Sequence, residues 1–202
     1  EIAERTQGKP LSKRPRVAMG AATPMARPFT PIISIHGADG LGDLAQYSNE
    51  DGSPRYMRPK VLPDPAIAVD VILEAAERYG SELSIVTIGP LTNLAYACQR
   101  NVAVLGNVKQ IVVMGGAVTV PGNVMPLSEF NIHCDPEAAA VVFDSGLPLT
   151  LVPLDATHQA ILTSEVLERE VKARPSVQSQ FVWDCTRLYA DFYRKADQMD
   201  GF

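Results

Sequence analysis

Residues 83–94 read Leu-Ser-Ile-Val-Thr-Ile-Gly-Pro-Leu-Thr-Asn-Leu, and this stretch decides the fold class. Its first half, Leu83 to Ile88, is short, mostly apolar and rich in β-branched residues, as is typical of a strand buried on both faces. From Pro90 a helix is expected, because apolar residues recur at helical spacing on one stripe from Leu91 to Cys98. The stretch therefore predicts a buried strand that leads directly into an amphipathic helix.

The same alternation of strand and helix continues on both sides. Before it, Asp64-Pro65 predicts the capped start of a helix that ends at Gly80. After it we expect a strand over 110–114, a helix capped by Asp135 that stops at Gly146, a strand over 149–153, a helix capped by Thr163 or Ser164, and a long amphipathic helix over 176–196. This order predicts an α/β fold in one domain over residues 1–202, with an open, mostly parallel sheet and helices on both faces. The opening segment, residues 1–31, is loop-like apart from a candidate strand at Val17–Met19.

The composition excludes several classes of protein. A net charge of −5 and a pI near 5.2 argue against a nucleic-acid groove, which needs a basic face. No run approaches the ~20 apolar residues that cross a bilayer, so no membrane partner is expected. Cys98, Cys134 and Cys185 form neither a CxxC motif nor an even framework, which indicates thiols in a reducing compartment and a cytoplasmic protein.

Three predicted strands end in segments suited to binding a ligand. In open parallel sheets ligands bind beyond the carboxyl ends of the strands. The segments in question are Ile88-Gly89-Pro90, Met114-Gly115-Gly116 and Pro153-Leu154-Asp155. We therefore expect a site around Ile88, Met114 and Asp155, together with the long loop that follows Met114.

That loop, residues 117–134, is longer than a routine strand-to-helix connection and contains Glu129-Phe130-Asn131. In extended backbone Glu129 and Asn131 would point to the same side. A carboxylate beside an amide suits the recognition of vicinal hydroxyls such as those of a ribose. The alternative is that these side chains tie the loop to itself.

Two histidine-containing segments are further candidates. Residues 35–43 carry three closely spaced glycines that resemble a phosphate cradle, without the Lys-Ser/Thr that would support one. His36 suits a proton or hydrogen-bond role near neutral pH, or a structural role in the turn. In His133-Cys134-Asp135 the aspartate is better explained as a helix cap than as a metal ligand, and the role of His158 stays open.

Taken together, these motifs resemble the inosine-uridine-preferring nucleoside hydrolases. The matching segments keep the family's order and spacing across nearly the whole chain. They are Ile35-His36-Gly37-Ala38-Asp39-Gly40-Leu41-Gly42, Thr87-Ile88-Gly89-Pro90-Leu91-Thr92-Asn93-Leu94, Met114-Gly115-Gly116-Ala117, Gly122-Asn123, Glu129-Phe130-Asn131, Asp135-Pro136-Glu137-Ala138-Ala139 and Val152-Pro153-Leu154-Asp155-Ala156-Thr157.

The resemblance implies an enzyme that hydrolyses the N-glycosidic bond of ribonucleosides to free base and ribose. A calcium-bound water would attack the anomeric carbon through an oxocarbenium-like transition state. Glu129 and Asn131 would hold ribose hydroxyls, with Asn123 and Met114 near the sugar. The nature of the preferred base is not readable from these motifs.

Two further roles are implied by the same resemblance. His36 would lie near the nucleobase or the 5′ side of the substrate. Ile88 would offer its backbone carbonyl to calcium, which makes its side chain secondary. Family members are commonly dimers or tetramers, so a homodimer or homotetramer is expected of the complete protein.

The family's DxDxxxDD cluster, which supplies calcium carboxylates and the general base, does not occur in these 202 residues. The family's later His-Asp pair is also missing, so we expect a chain incomplete at both ends: a fragment that lacks its N-terminal strand and C-terminal region and is inactive alone. The alternative is a degenerate, non-catalytic relative that survives as a ribose-binding or interaction module.

Overall fold

The computed structural model describes residues 15–28, 33–56 and 64–196. Within these ranges the chain forms two compact units. The sheet unit contains residues 16–28 and 64–160, and the helical unit contains residues 33–56 and 161–196. None of the helices in the described ranges combines the length and apolar character that crossing a membrane requires. The single domain over residues 1–202 stays a prediction.

The secondary structure follows the predicted alternation of strands and helices. In chain order the elements are β1 (Ala18–Met19), α1 (Ile33–His36), β2 (Asp64–Ile67), α2 (Ala68–Tyr79), β3 (Ser84–Thr87), α3 (Thr92–Leu105), β4 (Gln110–Met114), α4 (Phe130–Cys134), α5 (Pro136–Phe143), β5 (Leu149–Val152), α6 (Leu154–Thr157), α7 (Ser164–Ala173) and α8 (Val177–Ala196). Short 3-10 turns occupy Leu44–Gln46 and Gly80–Glu82.

A three-stranded parallel sheet in the order β3-β4-β5 organises the sheet unit. Its register pairs Ile85 with Ile111, and Ile111 with Leu149. Because parallel strands need a crossover between them, α3 connects β3 to β4 and α5 lies between β4 and β5. The α/β fold with an open parallel sheet is thereby confirmed, and the carboxyl ends of three strands meet along one edge.

The core of the sheet unit lies between this sheet and helices α2, α3 and α5. On the central strand β4, Ile111 and Val113 are fully buried, and both point to the same face because side chains alternate along a strand. On the opposite face Val86 of β3 is 61% exposed, so the predicted burial of Leu83 to Ile88 on both faces is wrong. The core packs against the face of β3 that carries Ile85. The predicted apolar stripe of α3 is confirmed, since its members from Leu91 to Cys98 are buried.

The start of helix α2 differs from the prediction. Residues 64–67 form strand β2, which pairs in parallel with β1, so the helix begins only at Ala68. Asp64-Pro65 was therefore wrongly interpreted as its cap, because pairing with a distant strand overrides the local signal. The end of the helix at Gly80 is confirmed, where φ is +44°. The candidate strand at Val17–Met19 is also confirmed, as β1.

Asp135 joins three parts of the sheet unit, and its predicted role as a helix cap is confirmed. Its side chain is 1% exposed and accepts a hydrogen bond from the Ala138 N–H of α5 at 3.1 Å. It also accepts from the Met25 N–H at 2.9 Å and from the Thr92 hydroxyl at 2.6 Å. One buried carboxylate thus fastens segment 16–28 and the start of α3 to the start of α5.

The helical unit is centred on α8, which contacts α7 and α1. Asp184 of α8 is 2% exposed and binds the Arg55 guanidinium and the Tyr56 hydroxyl, each at 2.8 Å. Burial raises the pKa of the Tyr56 hydroxyl, and the hydrogen bond to Asp184 raises it further. The predicted cap of α7 is Thr163, whose hydroxyl accepts from the Val166 N–H at 3.2 Å. A polar contact therefore holds residues 47–56 against α8.

Replacing Asp135 by alanine should lower the free energy of unfolding by about 3 kcal/mol. The change leaves two backbone N–H groups and one hydroxyl without their acceptor, and hydrogen bonds to a charged group contribute about 1.5–3 kcal/mol each. Urea unfolding measures the difference. The matched control is Asp144→Ala at the other end of α5, where the aspartate is exposed, with an expected change under about 0.5 kcal/mol. Equal effects of the two substitutions would contradict the role given to Asp135.

Candidate functional site at the strand ends

The end of β4 turns sharply through two glycines into the loop at residues 117–128, called the site loop from here on. Gly116 has a φ of +82°, a region that side chains rarely adopt. A Cβ on Gly115 would lie 3.1 Å from the Ile132 Cδ1 and 3.3 Å from the Glu129 Oε2. The backbone of β4 therefore runs directly against α4, and the glycine at position 115 makes room for the side chains of Glu129 and Ile132.

Glu129 is the most constrained side chain of this region. It is 2% exposed, and its carboxylate accepts from three backbone N–H groups: those of Asn131 at 2.9 Å, Ile132 at 3.1 Å and Gly116 at 2.9 Å. It caps α4 and ties that helix to the end of β4. The extended backbone predicted for residues 129–131 is wrong, because α4 begins at Phe130. The alternative that Glu129 ties the loop to itself holds. Three backbone donors fill three of the about four acceptor positions of a carboxylate.

Asn131 is the second residue of α4, and its side chain points back at β4. Its Nδ2 donates to the Met114 carbonyl at 3.2 Å and lies 3.1 Å from the Met114 Sδ. The side chain is 7% exposed, and no described residue donates a hydrogen bond to its amide oxygen. The structure therefore brings Met114, Glu129 and Asn131 together at one strand end, as predicted from the sequence.

Asn123 is exposed and holds the far side of the site loop. Its Oδ1 accepts from the Phe130 N–H at 2.8 Å, at the first residue of α4. The neighbouring Gly122 is packed so closely that a Cβ there would lie 2.3 Å from the Ser128 carbonyl oxygen. The side-chain amide nitrogen of Asn123 remains free to donate, since no described residue accepts from it.

Asp155 follows β5 and fastens the near side of the site loop. Its carboxylate accepts from the N–H groups of Val118 and Thr119 at 2.9 and 2.8 Å, and from the Thr119 hydroxyl. The hydroxyl and the two N–H groups lower the pKa of Asp155 to about 2. Sequence reasoning placed Asp155 at the site by its strand end but missed Thr119, for which the sequence carries no signal.

Ile88 comes directly after β3 and is 80% exposed, so its surroundings are open. Its backbone carbonyl is the one calcium ligand that the resemblance assigns within this chain. Calcium takes 6–8 oxygen ligands. No group of three or more His, Cys, Asp or Glu side chains suited to a metal occurs in residues 15–28, 33–56 and 64–196. The calcium site therefore stays a prediction, to which the described residues contribute the Ile88 carbonyl.

His36 belongs to the helical unit. Its exposed ring stacks on Tyr189 of α8, with centroids 5.4 Å apart and planes inclined by 12°. The glycine-rich turn after it encloses the carboxylate of Asp39, which accepts from the N–H groups of Leu41, Asp43 and Leu44. The resemblance to a phosphate cradle is thus explained by an internal carboxylate, and the predicted place of His36 beside a substrate stays a prediction.

Substituting Gly122 by alanine should open the site loop. The added methyl would overlap backbone atoms of Ser128 and Met125, at 2.3 and 2.4 Å, so the loop must move and the Phe130 N–H loses its acceptor on Asn123. Amide hydrogen exchange should become at least about tenfold faster at Phe130 while β4 is unchanged. Gly106→Ala is the matched control, because Gly106 has helical backbone and its added methyl meets nothing closer than 3.4 Å. Unchanged exchange at Phe130 would contradict this account of the loop.

Comparison with known proteins identifies the family to which this chain is similar. A profile of the family described as inosine-uridine preferring nucleoside hydrolase matches residues 6–202. Pyrimidine-specific ribonucleoside hydrolase RihA of Shewanella oneidensis is 35% identical over 178 residues, covering 88% of this chain and 52% of that protein. Uridine nucleosidase 1 of Arabidopsis thaliana is 36% identical over 186 residues, covering 92% and 52%.

Solved structures give the same result. A plant nucleoside hydrolase superposes with a TM-score of 0.79 at 31% identity, over 93% of this chain and 56% of the other. The purine-preferring ribonucleoside hydrolase from Gardnerella vaginalis gives a TM-score of 0.78 at 31% identity, over 93% and 57%. The chain spans about half the length of the curated relatives it matches. Since the profile covers nearly all of its residues, the chain belongs to the inosine-uridine preferring nucleoside hydrolase family.

Proposed function

We propose that the complete protein hydrolyses the N-glycosidic bond of ribonucleosides to free base and ribose, and that this chain supplies the part that holds the ribose. The observation that carries the proposal is the cluster of Met114, Glu129 and Asn131 at the end of β4. Hydrogen-bonding groups of a substrate sugar would meet a carboxylate and an amide oxygen there, both held by backbone contacts.

The chemistry of a ribose suits these groups. The Asn131 amide oxygen would accept from one hydroxyl and the remaining acceptor position of Glu129 from its neighbour. As the N-glycosidic bond breaks, positive charge develops on the sugar, and hydrogen bonds from its hydroxyls strengthen. Contacts that are stronger in the transition state than in the ground state raise kcat. Asn123 would donate to a sugar oxygen, and Met114 would pack against the ring.

Calcium is part of the proposal only for the complete protein. When bound, the ion would position a water and make it more acidic. Among the described residues the Ile88 carbonyl is the ligand available to it, which does not satisfy a calcium ion. We therefore assign no step of the reaction to the ion on this chain.

The relatives differ in the base for which they are named. The relatives described above are named for pyrimidine, uridine and purine substrates, so uridine and inosine are both appropriate probes. His36, stacked on Tyr189, would lie near the nucleobase or the 5′ side. We further propose that the protein is cytoplasmic, which the free thiols of Cys98, Cys134 and Cys185 support. The complete protein is proposed to be a homodimer or homotetramer.

A second candidate function is a non-catalytic, nucleoside-binding module. The hydrogen bonds that hold Glu129 and Asn131 at the end of β4 suit the binding of a nucleoside as well as its cleavage. One assay distinguishes the two functions. It measures the release of ribose from uridine and inosine, with calcium or with a chelator. The proposal expects the complete protein to release ribose with calcium and this chain alone to release none. A complete protein that binds uridine without releasing ribose would support the module.

Replacing Glu129 by glutamine should lower kcat/KM for uridine at least about tenfold in the complete protein. The substitution keeps the shape of the side chain and one acceptor oxygen but removes a charge-assisted hydrogen bond, which contributes about 1.5–3 kcal/mol. Glu137→Gln is the control, because Glu137 is paired with Arg27 at 2.7 Å and makes no contact with the cluster. A Glu129→Gln protein with an unchanged melting temperature and unchanged kcat/KM would remove Glu129 from the site.

A further inference from the structure

We propose that Asp155 is a positioning residue: it fixes the near side of the site loop and, through the loop, sets the position of Asn123. The inference rests on the proposed function for its effect on the reaction. Asp155 itself is assigned no contact with the substrate.

The Asp155 carboxylate binds one short segment of the site loop. All three donors that Asp155 accepts from belong to two adjacent residues, Val118 and Thr119. These residues leave the end of β4, whereas Asp155 follows the end of β5. The two strand ends are themselves linked by the Gly115 N–H to Val152 oxygen bond at 3.1 Å. The near side of the site loop is therefore anchored to a rigid sheet edge.

Asn123 lies close to this anchor along the chain. Only Val120, Pro121 and Gly122 separate Thr119 from Asn123. Pro121 has a fixed φ, and Gly122 is enclosed by the backbone of Met125 and Ser128. With so little freedom between the two points, the placement of Thr119 limits where the Asn123 amide can lie.

The anchor lies at the surface, so its loss should change the position of the loop more than the stability of the fold. Val118 and Thr119 are exposed, so the contact buries little apolar area. The pKa of about 2 means that Asp155 remains a carboxylate throughout the neutral range. Loss of the contact should therefore release the loop while the core around Ile111 and Val113 is unaffected.

Hydrogen exchange on the complete protein tests the anchor without any measurement of activity. In Asp155→Asn we expect exchange at Val118 and Thr119 to become at least about tenfold faster, with no change in β4 and β5. Asp144→Asn is the matched control, since Asp144 is an exposed aspartate outside the loop. Unchanged exchange at Val118 and Thr119 would overturn the anchor and the inference with it.

Steady-state kinetics of the complete protein with uridine test the positioning. Asp155→Asn and Thr119→Val should each lower kcat/KM about tenfold, and Thr119→Ser, which keeps the hydroxyl, should restore most of it. If Asp155 acts through Asn123, Asp155→Asn should have little further effect in an Asn123→Ala background. A merely structural role would lower kcat/KM by the same factor in both backgrounds, which would overturn the inference.

The failure of the proposed function gives a different result. If the wild-type complete protein neither hydrolyses nor binds uridine, the proposed function and the effect of Asp155 on it are both overturned. The exchange experiment still reports whether the anchor exists. If wild type hydrolyses uridine and Asp155→Asn behaves as Asp144→Asn does, only the positioning role is wrong.

Discussion

The carboxylate of Glu129 is the constraint on which the strand-end site depends. A buried carboxylate is stable only if its oxygens are well paired, and here three backbone N–H groups from Gly116, Asn131 and Ile132 supply that pairing. The pairing forces the chain after Gly116 to return to the end of β4. It also starts α4, which carries Asn131 to within hydrogen-bond distance of Met114. A side chain without acceptor oxygens at position 129 would leave the loop without this link.

A second carboxylate extends the same arrangement away from the site. Asp135 ends α4, caps α5 and binds the Thr92 hydroxyl at the start of α3. The helices that follow β3 and β4 are thus joined at their N-terminal ends. Together with Glu129 after β4 and Asp155 after β5, Asp135 makes a set of carboxylates that fix the chain after these two strands and the start of the helix after β3. Groups held in this way need little reordering when a ligand binds, which favours affinity and rate.

Local patterns in the sequence predicted much of this fold. The positions of the strands, the stripe on α3 and the Asp135 cap depend on neighbouring residues, so periodicity and capping signals were sufficient. Burial of a strand on its second face depends on distant parts of the chain, and for β3 the sequence predicted it wrongly. The start of α2 was missed because β2 pairs with β1, far away along the chain. The contact of Asp155 with Thr119 spans 36 residues and has no local signal either. For the site, the sequence indicated which residues meet at the end of β4, but not that α4 begins between Glu129 and Asn131 or that His36 lies in the helical unit.

The central claim is that the end of β4 holds the ribose of a nucleoside. The most direct measurement is a titration of this chain, followed by the backbone and side-chain amide signals in two-dimensional NMR, with uridine, ribose and uracil in parallel. Uridine and ribose should shift the signals of Gly116, Asn123 and Asn131, whereas uracil alone should leave them in place. Shifts that uracil reproduces, or an absence of any shift at these residues with uridine, would contradict the claim.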